Sequence, residues 1–465
     1  MPRIPFATQS YQSVSVELSA QRLVNLYPET APASSKAPYA LFGTPGLSPY
    51  QEVGTGPIRG MHNMKGSAYV VSGTALWKVE SNGDTRNLGF IPGTGPVQMD
   101  NNGLQVGILT GTEADDLFMA TATSLTQVND ADYTGASSIK HLDGYFVFTR
   151  PNSGQFFISG LRDGLAYDAL EFATAEGSPD GLVTAAEDHR ELWLFGETST
   201  EIWYNSGNVD FPFERTSGAY LERGCIAAAS VQNLDNSLFW VGDDRIVYRA
   251  EGYTPRRIST HAIEKVLTEN LGLGDLTSFA YTQNGHAFYV LKKPNVFTFV
   301  YDVATGLWHE RASHQREDYR VSTFVTAFDR LLVGDDQSGM IYELDMGRSG
   351  TEGSDCVIAR AAAPPLWAEA MSATMNNLVI DVEGGVGLTT GQGSDPQIML
   401  RYSDDGGHTW SNEKWRSMGR KGRYKRRARW DGLGQFRQRV LEVAISDPVG
   451  RIVLGAYAEM EQNGL

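Results

Sequence analysis

Short apolar segments separated by glycine-rich polar turns recur along most of the chain, and residues 178–207 contain the clearest set. The turn residues Pro179, Asp180 and Gly181 open this set, because proline presets φ and glycine accepts positive φ. The apolar run that contains Trp193 does not alternate with polar residues, which predicts a strand buried between neighbouring sheets. The predicted strands of this unit are 182–185, 192–195 and 200–204.

Similar units recur at spacings of roughly 37 to 48 residues, the range typical of propeller blades. Because such a sheet cannot bury both faces alone, the units are expected to pack radially around an axis. The pattern predicts an all-β fold with a β-propeller of about seven blades over residues 56–345, and one helix, Thr260–Asn270, between blades. Six or eight blades also fit, since the second unit is weakly apolar and the chain ends can share a blade. The most apolar strands of the units are 66–71, 103–109, 144–148, 192–195, 237–241, 286–291 and 330–333.

The chain on either side of the repeats has a different composition. Residues 1–55, rich in Pro, Ser and Ala, predict an N-terminal arm with one or two strands. Residues 346–364 predict a linker that ends at Pro364-Pro365. Residues 365–465 predict a β-sandwich-like domain against which the arm is expected to pack. The predicted strands of this domain are 377–383, 397–403, 425–430, 437–446 and 452–459.

The composition agrees with a large, strand-rich protein, because 50 glycines suit turns and the nine Trp, 20 Tyr and 20 Phe suit half-buried sheet faces. The 39 Lys and Arg against 55 Asp and Glu leave a net charge of −16, which opposes nonspecific binding to nucleic acid or anionic membrane. Cys225 and Cys356 are widely separated, so no disulfide framework is expected and a reducing compartment is consistent. The sequence predicts neither a secretion signal nor a membrane span.

Residues 403–410 (SDDGGHTW) match the Asp-box pattern S-x-D-x-G-x-T-W, known from sialidase-type propellers. In that pattern the aspartate and the hydroxyl groups bond a tight hairpin, and the tryptophan packs beneath it. Because one copy lies outside the repeats, we expect a structural hairpin without a catalytic role. The residues of the pattern are Ser403, Asp405, Gly407, Thr409 and Trp410.

Residues 420–429 (RKGRYKRRAR) carry seven cations in ten positions of an acidic protein. Three interpretations apply, namely contact with phosphates, docking on an acidic protein surface, and a solvated loop or strand edge. We favour protein docking, because so many like charges repel one another unless they are solvated or met by an acidic partner. The predicted assembly surface consists of Arg420, Lys421, Arg423, Lys425, Arg426, Arg427 and Arg429.

Two short groups, Glu187-Asp188-His189 and His309-Glu310-Arg311, contain residue types used in acid–base or metal chemistry. Adjacent strand residues point to opposite faces, so the members of each group are not expected to converge, and structural roles are favoured. No GxSxG, HExxH, Walker or Rossmann pattern stands in a supporting context. We therefore expect no enzyme activity, no cofactor and no metal site.

Several segments resemble the tail hub or nozzle proteins of short-tailed phages, also called packaged DNA stabilization proteins. The resemblance is clearest in Pro179-Asp180 followed by ELWLFG at 191–196 and TEIWY at 200–204. It continues toward both ends of the chain and spans nearly all of it. The further segments are RLVNLYP at 22–28, TPGL at 44–47, and FRQRV, ISDP and GAY within 436–457.

The resemblance implies a structural virion protein that forms a homohexamer around the tail axis, attached below the adaptor ring on the portal. A platform built from both chain termini would support the propeller. The protein would close the DNA channel after packaging, carry the distal needle or tip, contact tail fibres or spikes, and touch DNA transiently during ejection. It is expected in the phage tail after assembly in the host cytoplasm. The alternative is a glycan-binding or sialidase-like propeller for host attachment, which needs convergent carboxylates and arginines or an aromatic platform.

Overall fold

The computed structural model describes residues 1–6, 8–32, 38–270, 272–368 and 371–463, and most of its regular structure is strand. Six strands precede the first repeat. They are β1 (Arg3–Ile4), β2 (Tyr11–Gln12), β3 (Ala20–Val24), β4 (Leu26–Thr30), β5 (Tyr39–Gly43) and β6 (Gly46–Glu52).

The first four blades are antiparallel four-stranded sheets in which each strand pairs with the next along the chain. Blades 1 and 2 contain β7 (Ile58–Met64), β8 (Ser67–Ser72), β9 (Ala75–Val79) and β10 (Thr85–Phe90), then β11 (Gln98–Asn101), β12 (Val106–Leu109), β13 (Leu117–Ala120) and β14 (Leu125–Gln127). Blades 3 and 4 contain β15 (Ser138–Leu142), β16 (Tyr145–Thr149), β17 (Gln155–Gly160) and β18 (Asp163–Thr174), then β19 (Leu182–Asp188), β20 (Glu191–Gly196), β21 (Thr200–Asn205) and β22 (Phe213–Leu221).

Three further blades complete the ring. Blade 5 contains β23 (Gln232–Leu234), β24 (Ser237–Val241), β25 (Val247–Glu251) and β26 (Thr254–Arg257), and the helix α1 (His261–Glu269) follows it. Blade 6 contains β27 (Thr277–Gln283), β28 (His286–Lys293), β29 (Phe297–Asp302) and β30 (Leu307–Glu310). Blade 7 contains β31 (Val321–Ala327), β32 (Arg330–Asp335), β33 (Met340–Asp345) and, as its outer strand, β6. Single 3-10 turns lie at Ala228–Ser230, Leu273–Asp275 and Met346–Arg348.

The seven sheets are arranged as a ring because each buries its faces against its two neighbours. The first strand of every blade contacts the first strand of the next, and β31 contacts β7 to complete the circle. Seven apolar clusters each join two adjacent blades; one of them combines Val70 of blade 1 with Leu332 of blade 7. The prediction of a propeller with about seven blades is therefore confirmed, as is the helix between blades.

The ring is closed by a strand from the start of the chain. β6 pairs antiparallel with β33, with Leu47 opposite Leu344 and Pro49 opposite Tyr342. The sequence pattern predicts an arm at these residues, because β6 is half exposed and shows no continuous apolar run. Each blade also contains four strands where the repeat pattern predicted three.

The rest of the chain folds as a β-sandwich that contains strands from both chain termini. After blade 7 come β34 (Thr351–Glu352), β35 (Asp355–Cys356), β36 (Ala359–Ala362), β37 (Leu366–Trp367), β38 (Ser372–Val382), β39 (Gln397–Ser403), β40 (Lys414–Ser417), β41 (Ala428–Phe436), β42 (Gln438–Ile445) and β43 (Ile452–Asn463). One sheet has the order β4-β5-β43-β38-β41, with β1 paired to β43. The other has the order β3-β36-β42-β39-β40, and its strand β3 pairs with β30 of blade 6.

Two details of this region differ from the sequence-based expectations. Residues 346–364 were expected to be a linker but contain three short strands, because the segment pairs with β6 and with β42. The strand expected at 425–430 begins only at Ala428, since residues 418–427 form a loop with positive φ at Gly419 and Gly422. The buried core of the sandwich combines side chains from both sheets, including Leu23, Leu41, Leu378, Trp430 and Leu441.

Candidate functional site

The Asp-box residues form the turn between β39 and β40. The Ser403 hydroxyl donates to Asp405 (2.6 Å) and accepts from the backbone N–H of Gly407 (2.7 Å). The Asp405 carboxylate accepts from the backbone N–H of Thr409 (2.8 Å), and these hydrogen bonds lower its pKa below the ordinary value. The Trp410 indole N–H donates to the carbonyl of Gly407 (3.1 Å). Every polar group of the pattern is thus used within the turn, as a structural hairpin requires.

The hairpin is joined to the sandwich by two arginines. Arg439, almost fully buried, forms a two-pronged ion pair with Asp404, with N–O distances of 2.7 and 2.8 Å. The Arg401 guanidinium lies over the Trp410 ring, 4.6 Å from its centroid. Because the carboxylate next to Asp405 points inward to Arg439, the hairpin presents no pair of free carboxylates to a substrate.

The predicted assembly surface lies on a loop and the strand that follows it. Residues 418–427, here called the basic loop, connect β40 to β41, and Arg429 lies on β41. All seven cations of the predicted surface are exposed. The loop encloses a hollow of about 680 Å³, lined mainly by its own residues and by Asp395 and Ser417.

Only three of these cations lie near a carboxylate. Arg429 is 2.7 Å from Asp431, Arg420 is 3.5 Å from Asp395, and Arg427 is 3.8 Å from Asp381. Within the described part of the chain, the remaining four cations form no ion pair within 4 Å. They are Lys421, Arg423, Lys425 and Arg426.

Sequence reasoning missed the aromatic side chains that accompany this charge. Tyr424, at the centre of the basic loop, is 76% exposed, and Trp415 on β40 is 50% exposed. β40 is the terminal strand of its sheet and is contacted by β41, whose Trp430 indole N–H donates to the carbonyl of Lys414 (2.8 Å). Exposed aromatics beside cations are typical of protein interfaces. In the sequence, these aromatic residues stand among the cations of residues 414–427, and this pattern could have indicated them.

The two groups with acid–base residue types do not form a site. His309 is buried against Tyr27 and Phe288, and burial lowers its pKa to about 3. Its neighbour Glu310 instead pairs with Arg22, and Arg311 donates to the carbonyl of Pro45 (2.6 Å). The three side chains therefore diverge, as expected for a structural role.

In the second group two adjacent residues, Asp188 and His189, do contact each other, although adjacent residues of a strand point to opposite faces. His189 lies in the turn between β19 and β20 with positive φ, and its Nδ1 is 2.8 Å from the carboxylate of Asp188. The two residues meet because the backbone turns between them. The Asp188 side chain also accepts from Asn233 of blade 5 (3.0 Å), so this contact links blades.

A polar junction between the sandwich and the propeller was not anticipated from the sequence. Asn25 is buried in the left-handed region (φ 56°), and its amide donates to the carbonyls of Ala312 (2.8 Å) and Ile358 (2.9 Å). The Asn25 side-chain oxygen accepts from the backbone N–H of Ala312 (3.1 Å). One side chain thus joins the N-terminal arm, the end of blade 6 and the segment before β36.

Glu352 is part of the same junction and gives it a pH dependence. Its side chain is buried, accepts from the Ser313 hydroxyl (3.0 Å), and has its pKa raised to about 7 by burial. Because the folded state holds this proton between about pH 4.5 and 7 while the unfolded state loses it, stability falls as pH rises through that window. Above pH 7 the charged form remains buried at a cost.

Replacing this carboxyl with an amide should remove that cost. We expect Glu352→Gln to raise the free energy of unfolding above pH 7 by about 3 kcal/mol and to flatten its pH dependence between pH 5 and 7. Urea unfolding at pH 5, 6, 7 and 8 measures this, with the exposed Glu413→Gln as control. If the free energy of unfolding of the variant depends on pH as that of the parent does, Glu352 is not the source of this pH dependence.

The propeller axis contains a small cavity of about 270 Å³. Its lining comes from the first strand of each blade and includes the cationic side chains of Arg59 and Lys140. No carboxylate is among the described lining residues.

No group of three or more His, Cys, Asp or Glu arranged to hold a metal ion occurs in the ranges that the structure describes. The helices of those ranges are also too short or too polar to cross a membrane.

Comparisons with known proteins cover both parts of the fold. A family model described as "Bacteriophage P22 Gp10, beta-propeller" matches residues 2–349, and one described as "Bacteriophage P22 Gp10, beta-sandwich" matches residues 360–461. The comparison with curated proteins found no match.

Solved structures that are similar to the chain have low sequence identity and low TM-scores. The computationally designed Ika8 protein is 11% identical over 65% of this chain and 100% of its own, with a TM-score of 0.37. BamB from Moraxella catarrhalis is 12% identical over 70% and 98%, with a TM-score of 0.38. The Pan2 WD40 domain of Neurospora crassa is 8% identical over 62% and 88%, with a TM-score of 0.39.

Proposed function

Because the chain belongs to the bacteriophage P22 Gp10 family, a family of structural phage tail proteins, we propose that it forms a hexameric hub or nozzle of a short tail. In this role it attaches to the adaptor ring below the portal, closes the DNA channel after packaging and conducts DNA during ejection. The observation that carries the proposal is that the two family models match both the propeller and the sandwich.

The proposed partners follow from the same role. They are five further copies of the chain, the adaptor ring, a distal needle or tip, tail fibres or spikes, and DNA in transit. The protein would be assembled in the host cytoplasm and retained in the virion. Its net charge of −16 supports a conduit, because an acidic wall does not hold a polyanion that has to slide past it.

The basic loop is the surface that we propose to dock on an acidic protein partner. Its four unpaired cations are fully available, and the exposed Tyr424 adds apolar area. A ring under the pressure of packaged DNA needs steady protein contacts, whereas tight contacts with DNA would resist ejection. Sequence-independent phosphate binding is therefore the less suitable use of this charge.

We expect Arg423→Glu with Arg426→Glu to weaken attachment to DNA-filled, adaptor-bearing heads by about tenfold or more, because each substitution replaces an attraction with a repulsion. Attachment of the parent should also fall with added salt. Both are measured by sedimentation of heads with bound protein. The matched control, Lys65→Glu with Arg86→Glu on blade 1, has the same charge change. Undiminished attachment of the loop variant with an unchanged melting temperature would refute protein docking by the loop.

The hexamer itself is tested by electron microscopy of the protein on heads. Sixfold rings below the adaptor are expected, and single copies or another symmetry would contradict the proposal.

A glycan-active propeller is the rival function, and the axial cavity does not favour it. Its described lining offers no carboxylate for glycoside hydrolysis, and the single Asp box lies in the sandwich. A glycan array with a sialidase assay separates the two functions.

A further inference from the structure

An apolar strand edge is exposed on the outer rim of blade 3. β18 is the last strand of its sheet, so its outer backbone groups have no strand partner among the described residues. Exposed large apolar side chains lie along it, and Leu170 is 81% exposed. Edge strands of soluble proteins are normally protected by charge, proline or cover. The exposed side chains are Leu165, Leu170 and Phe172 on β18 and Leu161 in the turn before it.

The shape of this edge presents the apolar groups outward. Phe157 of β17 pairs with Phe172 and Ser159 pairs with Tyr167, so the four residues between Tyr167 and Phe172 bulge from the ladder. The Asp168 carboxylate accepts from the backbone N–H of Leu170 (2.9 Å), which holds the bulge in place. Leu170 therefore projects from the rim as an ordered feature of the fold.

Acidic residues surround the apolar groups. Asp163, Asp168 and Glu171 lie on β18, and none of them forms an ion pair with a described residue. Blades 2 to 4, residues 98–221, carry 19 acidic and 5 basic residues, which gives a net charge of −14. Nearly all of the net charge of the protein is therefore concentrated in this part of the ring, and the surface suits a basic partner with apolar side chains.

The basic loop of the same chain has the complementary properties. It has four unpaired cations, the exposed aromatics Tyr424 and Trp415, and a hollow of about 680 Å³ that can receive a leucine side chain. Residues 1–45 and 346–465, which contain the sandwich, together carry 18 basic and 16 acidic residues. Their net charge of +2 is opposite in sign to the net charge of −14 on blades 2 to 4.

Both surfaces are exposed in the single chain, so they do not cover each other within one molecule. The sandwich is joined to blade 6 through β3 and to blade 7 through β34, and blade 3 lies diametrically opposite in a ring of seven. Within the sandwich, the basic loop follows β40, the strand farthest from blade 6 in its sheet. The β18 edge thus lies on the blade opposite the two blades to which the sandwich is joined.

We propose that the β18 edge of one subunit, centred on Leu170 with Asp168 and Glu171, docks against the basic loop of a second copy of this chain. Such a contact uses two different surfaces and is head-to-tail, and a head-to-tail contact forms a ring when the rotation closes. The inference rests on the proposed hub and names the neighbouring subunit as the partner of the basic loop.

A charge swap tests the pairing in the full-length protein. The edge variant is Asp168→Lys with Glu171→Lys, the loop variant is Arg423→Glu with Arg426→Glu, and a third protein carries all four changes. Sedimentation velocity over a range of concentrations should show self-association weakened at least about tenfold in each double variant. Association of the fourfold variant should return to within about threefold of the parent, because each reversed pair is again attractive.

Two further variants guard against effects on folding. Asp163→Asn with Asp168→Asn keeps the acceptors of the local turns and removes only charge, so it should weaken association less than the edge variant and leave the melting temperature unchanged. Leu170→Ser should weaken association without changing its dependence on salt.

Three outcomes would overturn the inference. They are a parent that stays monomeric at every concentration, double variants that associate as the parent does, and a fourfold variant no better than either double variant. If the loop variant fails to attach to heads and the edge change does not restore it, the loop docks on the adaptor. In that case the proposed hub stands and this contact does not.

Discussion

Trp193→Ala is expected to lower the free energy of unfolding of the propeller by about 3 to 5 kcal/mol, the usual cost of truncating a large buried aromatic side chain. Trp193 is 2% exposed and lies opposite Ile202 on the neighbouring strand β21. Its ring packs against Phe195 and Tyr253, with centroid distances of 6.2 and 6.0 Å. The cavity would open between blades 4 and 5, where both sheets are held by the rest of the ring and cannot collapse inward.

Differential scanning calorimetry measures this effect as a lower transition temperature of the propeller. Trp415→Ala provides a control of the same residue type, because Trp415 is half exposed on β40 and its loss should change stability little. A Trp193→Ala protein that melts within a degree or so of the parent would show that the blade interface does not depend on this side chain.

Asp318→Ala is expected to cost a similar amount, about 3 to 5 kcal/mol, because it leaves two largely buried cations, Lys292 and Arg316, to share the single carboxylate of Asp336. Asp318 and Lys292 are each 1% exposed and lie 3.5 Å apart. Arg316 forms a two-pronged pair with Asp318, with both N–O distances at 2.8 Å. The backbone N–H of Asn295 also donates to Asp318 (3.0 Å), so one carboxylate organises the connection between blades 6 and 7.

This loss should depend on pH. Burial acts to raise the pKa of Asp318, but the hydrogen bonds from Arg316 and Asn295 outweigh it and hold the pKa below the ordinary value. A lowered pKa contributes stability that is present above about pH 4 and is lost as pH falls through the folded-state value. The difference between parent and variant should therefore shrink in acid.

Urea unfolding at pH 7 and at pH 3 measures both parts of this prediction. Asp431→Ala is the matched control, because Asp431 pairs with Arg429 at 2.7 Å on the surface and such pairs contribute at most about 1 kcal/mol. Equal losses for Asp318→Ala and Asp431→Ala would contradict the importance of burial at this site.

Both predictions concern blade interfaces, and the proposed hub depends on them mechanically. Each blade is held by one apolar cluster at each of its two interfaces, and the ring is closed by β6, whose segment leads directly from the sandwich. A weakened blade interface is therefore expected to weaken the junction around Asn25 as well. The substituted residues of the basic loop and of the β18 edge belong to none of these clusters, so variants there test assembly without disturbing the ring.

The family, the all-β class and the repeat of about seven blades follow from the sequence alone. The middle strands of each blade are buried on both faces, as in Leu192–Phe195 and Phe146–Phe148, and continuous apolar runs of this kind are a local signal. The Asp-box hairpin is equally local, because its hydrogen bonds join residues at most four positions apart.

Other strands of the blades had no comparable signal. β11, Gln98–Asn101, lines the axis and is half exposed along its whole length, so its residues need not be apolar. In the clearest unit the pattern did predict the inner strand, 182–185, and the strand it missed is the outer strand β22, Phe213–Leu221, which is largely exposed. For the same reason the outer strand β6, with Pro49 in it, resembled an arm.

Only the tertiary structure decided which distant segments meet. The pairing of β6 with β33, the contacts of Asn25 with Ala312 and Ile358, and the ion pair of Arg22 with Glu310 join residues hundreds of positions apart, and no periodic pattern encodes such partners. The sequence also gives the charged residues but not where they lie in space. The net charge of −14 on blades 2 to 4 lies opposite the attachment of the sandwich only because the ring has seven blades and the sandwich is joined to the sixth and seventh.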